Sequence, residues 1–354
     1  YLTGEGDASE REAMFRYRIS YLRIMLWGLL PFALSQVYGS TLRETGETML
    51  PMKASVAGIV TNLCLNYILI YGKLGFPALG VEGAAIATVI SRFVELAIIM
   101  VYTHRHAGIF QFIEGLYRSI KIPKDLTLTI IKTGMPLLVN ELLWSLGVTA
   151  LTQIFSTRGL NVVAGLNITS TVTNLFNVVM FSMGSATAIM VGQALGADDI
   201  SRAKQTAWRL MFFNVCLCIV IGGLLAVLSP IIPYIYKTTD DVRKMASHFM
   251  RTSAFYMCFN AVTHCAYFTI RSVGKTFATF LFDSVYTWVV FVPLAYLLTH
   301  FTTMDIMLLY PVCYLADVLK CIIGIIVVKS GYWAQNMVSD TTSGKLNESS
   351  GTKL

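Results

Sequence analysis

Residues 21–48, YLRIMLWGLLPFALSQVYGSTLRETGET, occur twice in this chain. A shift of 228 positions lays them, without a gap, on residues 249–276, FMRTSAFYMCFNAVTHCAYFTIRSVGKT. Arg23 meets Arg251, Ala33 meets Ala261, Thr41 meets Thr269, Arg43 meets Arg271, Gly46 meets Gly274 and Thr48 meets Thr276. Each copy is an apolar helix ending in the same short polar turn, (L/I)-R-x-x-G-x-T. The following segments also correspond: Leu-Asn-Tyr-Ile-Leu-Ile at 65–70 falls near Pro-Leu-Ala-Tyr-Leu-Leu at 293–298. Self-similarity at a fixed offset marks a duplicated structural unit, and here that unit is helical.

Composition says what surrounds those helices. Apolar residues make up 55% of the chain and charged residues only 13%, against about 25% charged in a soluble globular domain. Mean hydropathy is +0.63. Nine windows are apolar enough to span a bilayer, at 18–43, 50–72, 81–103, 127–157, 161–193, 205–235, 246–272, 278–300 and 305–329. Each approaches or exceeds the roughly 20 residues that a membrane helix needs. In hydrocarbon such segments must be helices, because only helices satisfy their own backbone polar groups. The fold class is therefore all-α, a polytopic membrane protein of two pseudo-symmetric helical lobes. Three spans precede the second copy and none precedes the first. The duplication thus predicts an N-terminally truncated fragment showing nine of twelve transmembrane helices, six plus six being a common transporter plan.

The expected organisation is a first half-lobe over 1–103, a linker over 104–125, a second lobe over 126–335 and a disordered tail over 336–354, small and polar throughout. The linker's apolar spacing (Ile109, Phe112, Ile113, Leu116, Ile120) suggests an amphipathic helix on the membrane surface. Arg105, Arg118, Lys121 and Lys124 make it basic and so cytoplasmic. Alternating the loops from there places Arg43, Lys53, Arg202, Lys204, Arg209, Arg271, Lys275 and Lys329 inside. Arg158, Lys73, Lys237, Arg243 and Lys244 fall outside, a modest bias in one direction. The net charge of +7 sits in short loops rather than along one surface, which argues against nucleic-acid binding. The seven cysteines fall inside spans without metal or redox spacing and read as small buried hydrophobes.

Four acids lie well inside spans, and a charge there needs a reason. Glu95 has Arg92 three residues away, and Asp317 has Lys320, so each is expected to form an i,i+3 pair. Glu141 and Asp283 have no such local partner. Glu141 sits mid-span in GMPLLVNELLWSLG (134–147), one turn after Pro136. A lone carboxylate there suits a proton or sodium carrier, or a protonated acid bonded to a neighbouring helix. Asp283 lies nearer a helix end, where snorkelling or capping competes with a site. Asn62 and Asn66 share one helix face, as do Tyr256 and Asn260; each pair suits a cation site or plain interhelical glue. No HExxH, GxSxG, P-loop or Cys/His metal pattern appears, so no enzyme, cofactor or metal site is expected. Without a P-loop, ATP-driven transport by this chain alone is disfavoured.

These residues resemble a known family. Leu42-Arg-Glu-Thr-Gly-Glu-Thr48, then Pro51, then Asn62-x-x-x-Asn66, then LGVEGAAIAT (79–88) resemble the fourth to sixth helices of the MATE family of multidrug and toxic compound extrusion transporters. Gly134-x-Pro136 with Glu141-x-x-Trp144-x-x-Gly147 resembles that family's seventh helix, and GQALGA (192–197) its eighth-to-ninth loop. The resemblance implies a monomeric, multi-pass protein of the cell membrane. It would be a cation-coupled antiporter, driven by sodium or protons, that exports small organic and often cationic drug-like compounds by alternating access. A lipid-linked oligosaccharide flippase of similar architecture is the alternative. By the same resemblance Glu141 matches a C-lobe glutamate, Tyr256 and Asn260 match a tyrosine and an acid, and Asn62, Asn66 and Thr88 match an N-lobe sodium site. Asparagine replaces an acid at both Asn66 and Asn260, which leaves the ion undecided.

Overall fold

The computed structural model describes residues 8–113, 115 and 122–334. Every regular element among them is helical. In chain order they are α1 (Ala8–Glu44), α2 (Met49–Tyr71), α3 (Gly80–Arg105), α4 (Lys124–Ser156), α5 (Leu160–Gly196), α6 (Ile200–Leu228), α7 (Asp240–Ser272), α8 (Thr276–Phe280), α9 (Val292–Phe301) and α10 (Ile306–Ser330). Two π-wound stretches, Leu281–Val285 and Thr287–Phe291, join α8 to α9 in one continuous rod. The chain divides into two compact units, residues 1–122 and 123–354.

The duplication is visible in atomic detail. α1 ends at Glu44 and α7 at Ser272, equivalent positions. Gly46 (φ 95°) and Gly274 (φ 70°) then take the same left-handed conformation, which L side chains resist and glycine accepts. The N–H of Gly46 bonds the Arg43 carbonyl at 3.1 Å, and that of Gly274 bonds the Arg271 carbonyl at 3.0 Å. Inside the copies Ser35 and Thr263 each donate to the carbonyl four residues back, at 2.7 and 3.1 Å. Thr41 and Thr269 do the same at 2.9 and 2.7 Å. These hydroxyls are thereby satisfied within their own helix, as hydrocarbon demands.

Seven described helices are long and apolar enough to cross a membrane, so the protein is a multi-pass membrane protein. Nine windows were expected. α1 and α7 are long enough but not apolar enough, and they are the two copies of the repeat. Even in the uncharged stretches between their arginines, Pro31 and Gln36 with several hydroxyls lower one, and Asn260 and His264 with several hydroxyls the other. The span expected over 205–235 also ends early: α6 stops at Leu228, and a 3-10 turn covers Ile232–Ile235. Pro230 and Pro233, which lack the N–H a helix needs, account for the break. Of the linker, residues 111–113 form one 3-10 turn. There Phe110 and Ile113 bury against Leu42, Leu50, Ala54 and Ile99 of the first unit. The remaining helix expected there, at 114 and 116–121, lies outside the described residues, as does the tail expected over 336–354.

Lipid tails are as apolar as leucine, so helices here associate through close packing more than through exclusion of water. In the first unit α3 packs along both α1 and α2. A Cβ on Gly83 would come within 2.7 Å of the Leu69 carbonyl oxygen, so the absence of a side chain sets that approach. In the second unit α7 is central, packed by α5, α6 and α10. Its core contains Val242, Ala246, Met250, Ala254, Met257 and Ala261, and α5 and α6 add Met180 and Leu225. The α8–α9 rod packs chiefly on α4. A Cβ on Gly222 would lie 2.8 Å from the Ala254 carbonyl oxygen, whereas one on Gly223 would meet nothing within 4 Å. Gly222→Ala is therefore expected to destabilise the protein by about 1–3 kcal/mol through overpacking, and Gly223→Ala to change it by less than about 1 kcal/mol. Thermal unfolding of the two purified variants checks this pair.

Candidate functional site

The second unit holds a cleft of about 410 Å³ between α4, α5, α7, the α8–α9 rod and α10. Its lining brings together Glu141 from α4, Asn260, His264 and Arg271 from α7, Asp283 from the rod, and Asp317 and Lys320 from α10. Trp144, Phe181, Phe291 and Tyr314 supply apolar wall. Four of the residues named from the sequence for their chemistry, Glu141, Asn260, Asp283 and Asp317, thus face one space. So does Lys320, named as one half of an ion pair.

The pairing within that space differs from expectation at two points. Lys320 Nζ lies 2.7 Å from Asp283 Oδ1, and no ion pair joins Lys320 to Asp317 among the described residues. The lysine is long enough to leave its own helix, and the α8–α9 rod carries Asp283 to it. Asp283 is therefore neither a cap nor a snorkelling acid. Glu141 is not alone either. Arg271 Nη1 lies 3.5 Å from its Oε1, and the Tyr267 hydroxyl lies 3.4 Å from the same oxygen. Packing of α7 near α4 supplies partners that spacing along α4 never could.

The two pairs differ in strength. Asp283 and Lys320 retain only 17% and 12% side-chain exposure at 2.7 Å. Breaking such a pair by removing one partner costs about 3–5 kcal/mol, because it strands a buried charge. Glu141 and Arg271 are 59% and 37% exposed at 3.5 Å. This longer and more exposed pair is the looser of the two. Asp317 shares the lining with Asn260 and has no cation within pairing distance among the described residues.

Asn140 lies behind the cleft and braces two residues that line it, Asp283 and Tyr267. It is 1% exposed. Its Nδ2 donates to Asp283 Oδ2 at 3.2 Å and to the Tyr267 hydroxyl at 3.3 Å. Ser284 Oγ donates to its side-chain oxygen at 2.7 Å. The rod can present Asp283 and Ser284 to α4 because it is π-wound there. Pro293, near the start of α9, lacks the N–H that would close an α-turn onto Val289 in the second π-wound stretch, and π-turns are often found at functional sites. Trp288 Nε1 donates to the Leu143 carbonyl at 2.9 Å. Gly147, whose Cβ would meet Thr287 Cγ2 at 3.1 Å, leaves room for that approach. Asn140, Ser284 and Tyr267 carried no sequence signal beyond being polar inside a span. Arg271 had one, its place in the duplicated turn, but it read as a loop cation.

Tyr256 does not line the cleft. It is 5% exposed and donates to the Pro311 carbonyl at 3.1 Å, with its ring against Tyr314. The remaining residues lie in the first unit. There Asn66 Nδ2 donates to Asn62 Oδ1 at 2.9 Å, and Asn62 Nδ2 to Thr88 Oγ1 at 3.3 Å. Asn66 Oδ1 is buried without a partner among the described residues. Arg92 Nη1 pairs with Glu95 Oε2 at 3.4 Å, as the spacing predicts. Ser55 donates to the other oxygen of Glu95 at 2.7 Å, and the Phe32 ring lies 4.6 Å from the guanidinium.

The MatE family profile matches residues 8–68 and 136–297. Similar proteins include a probable multidrug resistance protein, YoeA, of Bacillus subtilis, 28% identical over 302 residues. That match covers 84% of this chain and 64% of the relative. A probable multidrug resistance protein, NorM, of Mannheimia succiniciproducens is 28% identical over 291 residues, covering 82% of this chain and 62% of the relative. The chain thus spans less than two thirds of the length of either. Among solved structures, a mutant of the Vibrio cholerae MATE transporter VcmN superposes with a TM-score of 0.81 at 20% identity, covering 95% of this chain and 73% of that one. A MOP superfamily transporter from Pyrococcus furiosus gives 0.80 at 21%, covering 93% and 71%. At these identities the structural likeness establishes the fold.

Asn140→Ala leaves Asp283, Tyr267 and Ser284 each short of a partner in a buried place. The expected loss is about 1–3 kcal/mol of stability, read as a lowered melting temperature of the purified protein.

Proposed function

The chain belongs to the MatE family, and from that premise we propose that it is part of a cation-coupled exporter of small organic cations. The observation that carries this reading is the charge balance of the cleft. Among its described lining residues, three carboxylates (Glu141, Asp283, Asp317) face two cations (Arg271, Lys320). One carboxylate is left over in a space walled by Trp144, Phe181 and Phe291. Apolar walls with a few placed polar groups are the usual make-up of a small-molecule site, and a surplus carboxylate selects a cation. The same surplus disfavours the flippase alternative, since a pyrophosphate would require a basic cavity. The names of the relatives support the multidrug part of the reading.

Coupling requires that the ion bind with different free energy in the outward and inward states. Glu141 suits that role. Its pairing with Arg271 is long and exposed, so a sodium ion or proton can replace the arginine without breaking a buried contact. Tyr267, bonded to both Glu141 and Asn140, then transmits the change to the Asp283 side of the cleft. In the first unit, Asn62, Asn66 and Thr88 offer neutral oxygens and the unpartnered Oδ1 of Asn66, a second place where a cation could add to the cycle. The expected outcome for Glu141→Gln in the intact protein is normal membrane insertion with ion-driven efflux of tetraphenylphosphonium reduced to the leak rate. Efflux equal to that of the unaltered protein would remove Glu141 from the mechanism.

A further inference from the structure

Lys320 occupies a place built for an organic ammonium. Its Nζ sits 2.7 Å from Asp283 Oδ1, and the ring centroids of Phe282 and Tyr286 lie 5.6 and 5.7 Å away. A carboxylate combined with aromatic faces is the chemistry that recognises ammonium ions. Here the chain fills that place with a side chain of its own. Lys320 also lies three residues after Asp317 on the same helix, so the two side chains share a face. The flexible four-carbon stem of lysine therefore has two carboxylates available to it.

We propose that Lys320 is a tethered cation that sets the charge of the cargo the cleft accepts. With its ammonium on Asp283, the opening left by Asp317 takes one positive charge and no more. Glu141 is answered by Arg271 at 3.5 Å. A monovalent organic cation matches that single vacancy, whereas a divalent one brings a charge the cleft cannot neutralise. This inference rests on the cation-export reading above and adds the valence of the cargo to it.

The test uses two isosteric probes that differ only in charge, (7,7-dimethyloctyl)trimethylammonium and hexamethonium, competing with bound tetraphenylphosphonium on the intact protein in lipid nanodiscs. The unaltered protein is expected to prefer the monovalent probe. Lys320→Gln leaves Asp283 and Asp317 both unanswered and should shift the affinity ratio towards hexamethonium by about tenfold or more. Asp283→Asn frees the ammonium to neutralise Asp317 and should weaken both probes by at least about tenfold. The double variant Asp283→Asn with Lys320→Gln removes the pair as a unit and should return the monovalent preference. An unchanged ratio in Lys320→Gln, or undiminished cation binding in Asp283→Asn, overturns the proposal. The second of these comparisons holds even if Lys320→Gln fails to fold. Failure of the unaltered protein to bind tetraphenylphosphonium at all would instead overturn the cation-export reading beneath it.

Discussion

An ammonium held in a membrane interior must be answered by a carboxylate, and the contact between Lys320 and Asp283 is where this structure meets that demand most fully. The pair ties α10 to the α8–α9 rod at 2.7 Å. Asn140 of α4 bonds the other oxygen of Asp283, so three helical elements converge on one carboxyl group. Asn140 in turn holds Tyr267 of α7, which reaches Glu141. The cleft is therefore a continuous polar network with a firm end at Asp283 and a loose end at Glu141. Such networks are costly when incomplete; Asp317 shares the cleft but lies outside this network and has no cation within pairing distance among the described residues.

Around that network the fold is assembled by shape. Helices in lipid gain little by hiding apolar surface from one another, so close approach depends on missing side chains. Gly222 against Ala254, Gly147 against Thr287 and Gly83 against Leu69 are the places where this shows. The duplication supplies the frame: α1 and α7 end in the same left-handed glycine turn and satisfy the same hydroxyls in the same way. Polar side chains along them, and the arginines at their ends, make them less apolar than the other long helices. In α7 that polarity serves the cleft directly, since Arg271 is the cation that faces Glu141.

Much of this was legible in the residues. The offset between residues 21–48 and 249–276 identified the repeat and the turn that closes it, and the i,i+3 spacing located the Arg92–Glu95 pair. The cleft residues Glu141, Asn260, Asp283 and Asp317 stood out because polar groups in apolar spans need a reason. Who answers whom was not legible. Spacing along one helix proposed Asp317 as the partner of Lys320, whereas the π-wound rod delivers Asp283 from another element. Arg271 looked like a loop cation because nothing in its own segment shows that α4 lies beside it. Asn140 was hidden by its neighbour Glu141: a neutral side chain next to an acid attracts less notice, yet it is the more deeply buried of the two and holds more bonds.

The central claim is that this cleft takes an organic cation on its surplus carboxylate and a coupling ion on Glu141, and that the two move in opposite directions. Simultaneous recording of ion and cargo flux in liposomes containing the intact protein tests it most directly. An imposed gradient of sodium or protons should drive tetraphenylphosphonium uphill, with the ion moving the opposite way and the flux ending when the gradient is collapsed. Equilibration of the cargo at the same rate with and without either gradient would contradict it.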